Sequence, residues 1–429
     1  MEFDHHLSHR EAPSPPGSVG TRFLRALTLA LVSLTFGHAP AAASRESPRP
    51  AQLATRSEAG PEIRRIAFGS CLKTDRPQHV WDAVREAGPD VWIWLGDCVY
   101  ADIPRPETGS EQGDSEVVLG RLPGLYRKLK AVPGYRELAK TAQVLGTWDD
   151  HDYGINDAGA EFLGKATSQN HFLDFLDEPA GSERRRTPGV HASYVFGPEG
   201  RRVQILVLDT RSFRSPLLSG HNPRENWTDG RPGSYLPKKD PKATLLGEAQ
   251  WRWLETALEQ PADLRVVVSS IKVVANDHRF EKWGNLPLER RRLMKLIRDT
   301  GADGVVFISG DRHSGEISRL DPARAIPGSF ADVGYPLYDV TSSALTNSAP
   351  TAPGEDGGMR SGFVQYSDER NRHRIGSQIR YNNFGTLEVT NYLSQLLSSM
   401  EFKKLLEKYC RLQLQNSPCN RNNLGTTDL

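Results

Sequence analysis

From Ile63 onward the chain alternates short, nearly continuous apolar runs with longer stretches of amphipathic spacing. The short runs predict strands at Ile63–Gly69, Val91–Leu95, Val144–Trp148, Val203–Leu208, Arg265–Ser269, Gly304–Ser309 and Leu337–Thr341. The longer ones predict helices at Pro77–Ala87, Tyr126–Lys130, Gln169–Leu176, Ala249–Glu259 and Leu288–Asp299. No internal repeat is visible. Mixed strands with intervening helices predict a layered α/β domain. In such folds ligands sit beyond the carboxyl ends of the strands.

The N-terminal region has a different texture. Arg22 and Arg25 precede an apolar run from Ala26 to Phe36, and Ala41-Ala42-Ala43 offers a small-residue cleavage site. The run is shorter than the roughly 20 apolar residues a membrane span needs. Residues 1–43 therefore read as a signal-peptide-like export segment, with a surface anchor or an uncleaved tail as the competing reading. Residues 44–61 form a linker rich in Ala, Pro, Ser and Arg, residues 62–390 the folded domain, and residues 391–429 an atypical tail. With the glycosylation triplet Asn226-Trp227-Thr228, the export pattern predicts a secreted, periplasmic or secretory-pathway protein. His5, His6 and His9 precede the export segment and carry no weight.

Composition changes this picture little. The 429 residues are 37% hydrophobic and 25% charged, with a formal net charge of +1, so neither a nucleic-acid partner nor an acidic solvating tail is indicated. The basic run Glu289-Arg290-Arg291-Arg292 reads as a solvated helix face. Four cysteines in a chain this long are not a disulfide framework. Cys410 and Cys419 have the spacing for a local pair, whereas Cys71 and Cys98 each follow a strand-like run and suit a metal or core role at least as well as a bridge.

The candidate chemistry gathers at five strand ends. Ile66-Ala67-Phe68-Gly69-Ser70-Cys71 delivers a thiol, and Gly96-Asp97-Cys98-Val99-Tyr100 a carboxylate and a phenol. Trp148-Asp149-Asp150-His151-Asp152 delivers an acid–imidazole cluster, Leu208-Asp209-Thr210-Arg211 a cation, and Ser309-Gly310-Asp311-Arg312-His313 a carboxylate and an imidazole two residues apart. Two cations about 3.5–4 Å apart can grip the attacking and leaving oxygens of a phosphoryl group. Holding them that close requires a bridging anion, and Asp97 behind the side-chain-free Gly96 suits the task.

In this order the motifs resemble those of the calcineurin-like metallophosphoesterases. The variants Phe68-Gly69-Ser70-Cys71, Leu95-Gly96-Asp97 with Tyr100-Ala101-Asp102, Trp148-Asp149-Asp150-His151-Asp152-Tyr153-Gly154 with Asn156-Asp157-Ala158-Gly159, Leu208-Asp209-Thr210-Arg211 and Ser309-Gly310-Asp311-Arg312-His313 resemble the PhoD-like alkaline phosphatases within that superfamily. The resemblance covers about residues 62–390 and implies an α/β fold, a layered metallophosphoesterase sandwich of mixed β-sheets flanked by helices. It implies a first metal on Cys71, Asp97, Tyr100 and His313, and a second on Asp97, Asp150 and Asp311. Thiolate, phenolate and carboxylate together suit a ferric ion, Fe3+, as the resemblance also implies. The second, oxygen-only set favours a hard cation such as Ca2+, with Ser269-Ser270 where another histidine ligand is expected. His151 is then a proton donor or phosphate ligand. Arg211 either neutralises phosphate oxygens or serves a structural ion pair.

Several residues keep two readings. Cys71 alone would be a small buried hydrophobe, and its place in the series makes it a ligand. Cys98 points into the core and Arg312 away from the site. Asp149 and Asp152 serve as caps or orient the ligands, and rank below Asp150. Glu281-Lys282-Trp283, after Asn276-Asp277-His278, lines a substrate pocket or forms a surface loop. Tyr381–Val389 looks like the family's late strand, but the chain then departs into a Leu/Lys helix and polar tail, which predicts a lost closing strand and an open sheet edge. Asn347 stands where relatives often carry histidine, and Cys98 where they often carry asparagine. The leading function is hydrolysis of small phosphate monoesters or diesters by metal-activated water. The competitors are a catalytically inactive metal- or phosphate-binding secreted domain, and a hydrolase using Cys71 as nucleophile with His151 or His313.

Overall fold

The strands that carry the candidate site are short and apolar on both faces because both faces are covered. In chain order the first half contains β1 (Arg65–Gly69), α1 (Val80–Ala87), β2 (Val91–Leu95), α2 (Ser115–Lys130), α3 (Pro133–Thr141), β3 (Gln143–Thr147), α4 (Asp150–Tyr153) and α5 (Lys165–Phe175). Then follow β4 (Ala192–Phe196), β5 (Val203–Val207), β6 (Leu218–Ser219), β7 (Tyr235–Leu236), α6 (Gly247–Leu258) and β8 (Leu264–Ser269). The last elements are α7 (Pro287–Asp299), β9 (Val305–Ser309), β10 (Gly315–Leu320), β11 (Leu337–Ser342), β12 (Arg374–Ile379), β13 (Asn383–Glu388) and β14 (Leu412–Asn416). The computed structural model describes residues 60–102, 115–220, 235–322, 333–348, 369–389 and 412–416. The export-like segment, nearly all of the linker, the Asn226 triplet, Cys410, Cys419 and the rest of the tail lie outside the described residues.

Two sheets stack face to face. One runs β14-β13-β1-β2-β3, the other β12-β10-β11-β9-β8-β5-β4, and β6-β7 form a separate ribbon. Strand alternation assigns the faces. Ile66, Phe68, Ile93 and Leu95 meet Ile205, Val207, Val266, Val268, Val306 and Ile308 between the sheets. Ala67, Trp92 and Trp94 face the opposite way, onto apolar residues of α1, α2, α3 and α5. Leu206, Val267, Val305 and Phe307 face α6 and α7. The result is an α/β/β/α layering of mixed sheets, the layered α/β domain of the strand and helix pattern in the sandwich form that the resemblance implies. Among the described residues no helix is long and apolar enough to cross a membrane.

The differences from the predicted elements have physical causes. Helix α2 begins well before the predicted Tyr126, because Gly120 and Pro123 interrupt the sequence signal while Val118, Leu122, Tyr126 and Leu129 bury one continuous stripe. Strand β10 was not predicted because its inward Glu316 and Ser318 are polar, yet both are buried. The late strand is present as β13, and its outer edge is not open. Leu412–Asn416 pairs antiparallel with it, from Asn383 opposite Asn416 to Leu387 opposite Leu412. The alternation Leu412-Gln413-Leu414-Gln415 carries the two-residue period that a helical reading of the tail passes over.

Trp94 anchors the helix-facing side of the first sheet. It is fully buried, donates from its indole nitrogen to the Tyr135 hydroxyl at 3.2 Å, and meets Trp81 and Trp92 edge-on at 5.6 and 5.4 Å. Trp94→Ala is expected to cost roughly 3–5 kcal/mol of unfolding free energy in a denaturant titration; a change below about 1 kcal/mol would contradict this packing role.

Candidate metal centre

Parallel register brings the motif-bearing strand ends side by side. Gly69 pairs with Trp94, Leu95 with Thr147, and Ser269 with Ser309, so the loops that follow leave both sheets at one rim. Two glycines permit the approach. A Cβ at Gly96 would collide with the Cβ and backbone nitrogen of Asp149. One at Gly310 would lie 2.7 Å from Ser70 Oγ, 2.8 Å from the Leu95 carbonyl oxygen and 2.9 Å from that of Ser270. Gly310 thus lets loops from both sheets touch.

Four of the predicted ligands sit in the left-handed region, with φ of 59° at Cys71, 50° at Asp97, 71° at Asp311 and 50° at His313. Such residues each cost about 1–3 kcal/mol and persist where surrounding contacts dictate the backbone. Here the His313 N–H donates to Ser343 Oγ at 2.8 Å. The Asp152 carboxylate accepts from the backbone N–H groups of Asp97 at 3.2 Å, Cys98 at 3.1 Å and Asp149 at 2.7 Å. Asp152 therefore clips the β2 loop to the β3 loop, a larger part than its sequence rank suggested.

Donor atoms of Cys71, Asp97 and His313 all lie within 4.8 Å of one another. Cys71 Sγ is 3.4 Å from Asp97 Oδ2, and the Tyr100 hydroxyl donates to the same oxygen at 3.0 Å while lying 3.2 Å from His313 Nε2. The structure thus brings together all four residues of the predicted first set. Burial, reinforced by Asp97, pushes both the Cys71 thiol and the Tyr100 phenol well up. A cation on these atoms reverses that shift, since coordination removes the proton. Burial, together with Arg312, His151 and Lys73, lowers His313 to about 3 and leaves it the neutral imidazole a metal requires.

Asp97 also belongs to a second group, with Asp150 and His151, whose donor atoms again lie within 4.8 Å. Asp150 accepts the His151 N–H at 3.0 Å and the Asp157 N–H at 2.8 Å. Burial alone would raise Asp150, but His151 and Arg211 hold it well below the usual carboxylate range. Asp311 does not join this group at that distance. Among the described residues its buried Oδ2 has no hydrogen-bond partner; it lies 3.7 Å from the Arg312 guanidinium, and burial drives its pKa well up. A buried carboxylate oxygen without a donor is costly unless a cation faces it. With the glycine cradles and the anionic donors, this orphaned oxygen fits a site for cations.

His151 is oriented by a residue to which the sequence reading gave no role. Its Nδ1 lies 2.6 Å from Asp102 Oδ1, and Asp102 Oδ2 accepts the Asn156 N–H at 3.0 Å. The signal available was the acid closing Tyr100-Ala101-Asp102. Arg211 is placed within an ion-pair network. It has no exposed surface, and it donates to Asp149 at 2.6 Å and to Glu281 at 2.6 Å, with Arg214 also 2.8 Å from Glu281. Ser270, at the expected histidine position, donates to Asp149 at 2.6 Å. Glu281, Lys282 and Trp283 are buried, which removes the surface-loop reading. Arg312 turns to Glu369 and lies over the Phe280 ring at 3.6 Å, and Cys98 is buried in the core.

A two-sheet sandwich thus gathers carboxylates, imidazoles and a thiol at strand ends, a donor set able to hold metal ions. The chain belongs to the PhoD-like phosphatase family, whose family model matches residues 66–391. It is 24% identical over 283 residues to alkaline phosphatase D of Bacillus subtilis (strain 168), covering 59% of this chain and 46% of that protein. The chain thus spans about half the length of that curated relative. A solved structure of PhoD superposes with a TM-score of 0.58 at 17% identity, covering 86% of this chain and 69% of that one, and so shares the fold.

Asp152→Ala is expected to weaken metal binding by roughly 10–100-fold, measured by titrating metal into chelator-stripped protein. Unchanged affinity would show that the clip does not position Asp97.

Proposed function

We propose that the chain is a secreted hydrolase of small phosphate esters, monoesters or diesters, acting through water activated at a two-metal centre. The observation that carries this is the division of one carboxylate. Asp97 Oδ2 faces Cys71 and Tyr100, while Oδ1 faces the His151 N–H at 3.4 Å beside Asp150. Cys71, Asp97, Tyr100 and His313 would hold a ferric ion, and Asp97, Asp150 and Asp311 a calcium ion. Bound there, the pair supplies Lewis acidity for phosphoryl oxygens and lowers the pKa of water.

The chain's own residues do the rest. Burial alone would lower the His151 pKa, but Asp150, Asp97 and Asp102 outweigh it and hold the imidazole well above its ordinary value. With Asp97 and Asp150 committed to metal ligation, Asp102 would be the partner that keeps His151 protonated. His151 then delivers its proton to the leaving-group oxygen. Arg211 holds Asp149 rather than substrate, and so fixes the loop from which Asp150 and His151 project. A Cys71 nucleophile is disfavoured, since thiolate is the reactive form and burial beside Asp97 opposes it. Secretion rests on the Arg22–Ala43 pattern.

Hydrolysis of p-nitrophenyl phosphate and its bis ester is expected to be abolished by chelator and restored by metal. Turnover that survives chelation and is lost to a thiol alkylator would instead assign Cys71 as nucleophile. No turnover by intact, metal-loaded protein would assign a binding domain. For His151 the sign is fixed: activity falls as pH rises through its pKa, because the protonated form is the donor. Asp102→Asn removes the charge that raises that pKa, so the falling limb of the kcat profile is expected to move to lower pH with little change in KM. His151→Ala should lower kcat by roughly 100–10,000-fold. An unmoved limb in Asp102→Asn would remove the dyad from the chemistry.

A further inference from the structure

We infer that Asn347 belongs to the metal centre as the hydrogen-bond donor to the oxygen of Tyr100, an inference that rests on the proposed ferric site. The loop after β11 is laced to the Cys71 loop. Leu345 N–H donates to the Ser70 carbonyl at 3.0 Å, and the Lys73 N–H donates to the Thr346 hydroxyl at 2.7 Å. That hydroxyl returns a bond to the Lys73 carbonyl at 3.1 Å. The next residue is thereby delivered to the site. Asn347 Nδ2 lies 3.0 Å from the Tyr100 oxygen and 3.2 Å from His313 Nε2.

An amide nitrogen carries two donor hydrogens, and here both point at atoms of the proposed ligand set. Imidazole Nε2 has a single lone pair, so a metal on His313 takes the place of that contact. The phenol oxygen has more than one acceptor direction, so its bond from Asn347 survives metal binding. The donor is also chemically distinct from its surroundings. Among the described residues the other groups at the Tyr100 oxygen are Asp97 Oδ2 at 3.0 Å, the His313 ring nitrogen at 3.2 Å and the Cys71 sulfur, itself a proposed ligand that would carry no proton. The cations beside Tyr100 meet its ring: Lys73 Nζ lies 5.1 Å from the centroid, and the His151 imidazole 4.3 Å away, ring to ring. Asn347 therefore supplies a neutral N–H to an oxygen that must carry negative charge to bind iron.

Such a bond leaves a spectroscopic mark. An N–H donor draws electron density from a phenolate oxygen and lowers its filled orbitals, which raises the energy of phenolate-to-iron charge transfer. Asn347→Leu keeps the size and removes the donor. In protein loaded with ferric ion alone, this variant is expected to keep one iron per chain while its visible band moves to longer wavelength, by on the order of 20 nm, the scale of one hydrogen bond to a charged group. A second measurement needs no variant. The iron–phenolate stretch in the resonance Raman spectrum of wild-type protein is expected to shift on exchange into deuterated water, because the amide hydrogen sits on the ligating oxygen.

An unmoved band in Asn347→Leu with iron retained, or a stretch insensitive to deuterium, would overturn the contact. Loss of iron from Asn347→Leu would overturn it too, by making Asn347 a ligand. Wild-type protein that holds iron without colour would fail earlier: it removes Tyr100 and Cys71 as ligands, and the proposed site with them.

Discussion

The structure is organised around negative charge that it cannot disperse. Asp97 is about 1% exposed and shares its surroundings with Asp150, Asp152 and Asp311, each of which raises its pKa beyond the effect of burial. Like charges held this close in a low-dielectric interior repel strongly, and each unpaired one carries its own desolvation cost. The fold counters with fixed positive partners. Arg211 spans Asp149 and Glu281, Arg214 takes the other side of Glu281, and His151 lies between Asp102 and the Asp97–Asp150 pair. What these partners leave over, most visibly at Asp311 Oδ2, which has Arg312 at 3.7 Å but no hydrogen-bond donor among the described residues, is the charge for which a cation pair is suited.

The backbone bears the cost of that concentration. Cys71, Asp97, Asp311 and His313 adopt left-handed conformations that a relaxed chain avoids, and all four are proposed ligands. Their geometry is imposed by neighbours. The Asp152 carboxylate grips three backbone N–H groups, Ser343 grips His313, and Gly96 and Gly310 let adjoining loops close to contact distance. Beneath them, parallel strands in register and a tryptophan-rich helix layer make the rim stiff enough to hold this strain. Packing, strain and electrostatics thus act on one set of side chains.

Much of this could be read from the chain, for identifiable reasons. The parallel strands are buried on both faces, so Val91–Leu95 and Val305–Ser309 announce themselves as apolar runs, and the polar residues that interrupt them are the ones at the rim. What escaped depends on contacts between distant segments. Glu316 makes β10 look like a loop, yet the strand buries it against Lys272 at 2.6 Å. Arg211 offers equal evidence for phosphate or a carboxylate until Asp149 and Glu281 are seen on either side. Asp102 lies 49 residues from His151, and no local pattern predicts that pairing. The strand partner of β13 comes from Leu412–Asn416, a tail that resembles nothing in the family pattern.

In the proposed centre one shared carboxylate, Asp97, would organise two chemically different metal sites. Elemental analysis of the purified, active protein by mass spectrometry tests it most directly. Iron and calcium together, each stoichiometric with the chain, are the expected result. Two equivalents of a single metal such as zinc, or full activity with neither iron nor calcium bound, would contradict it.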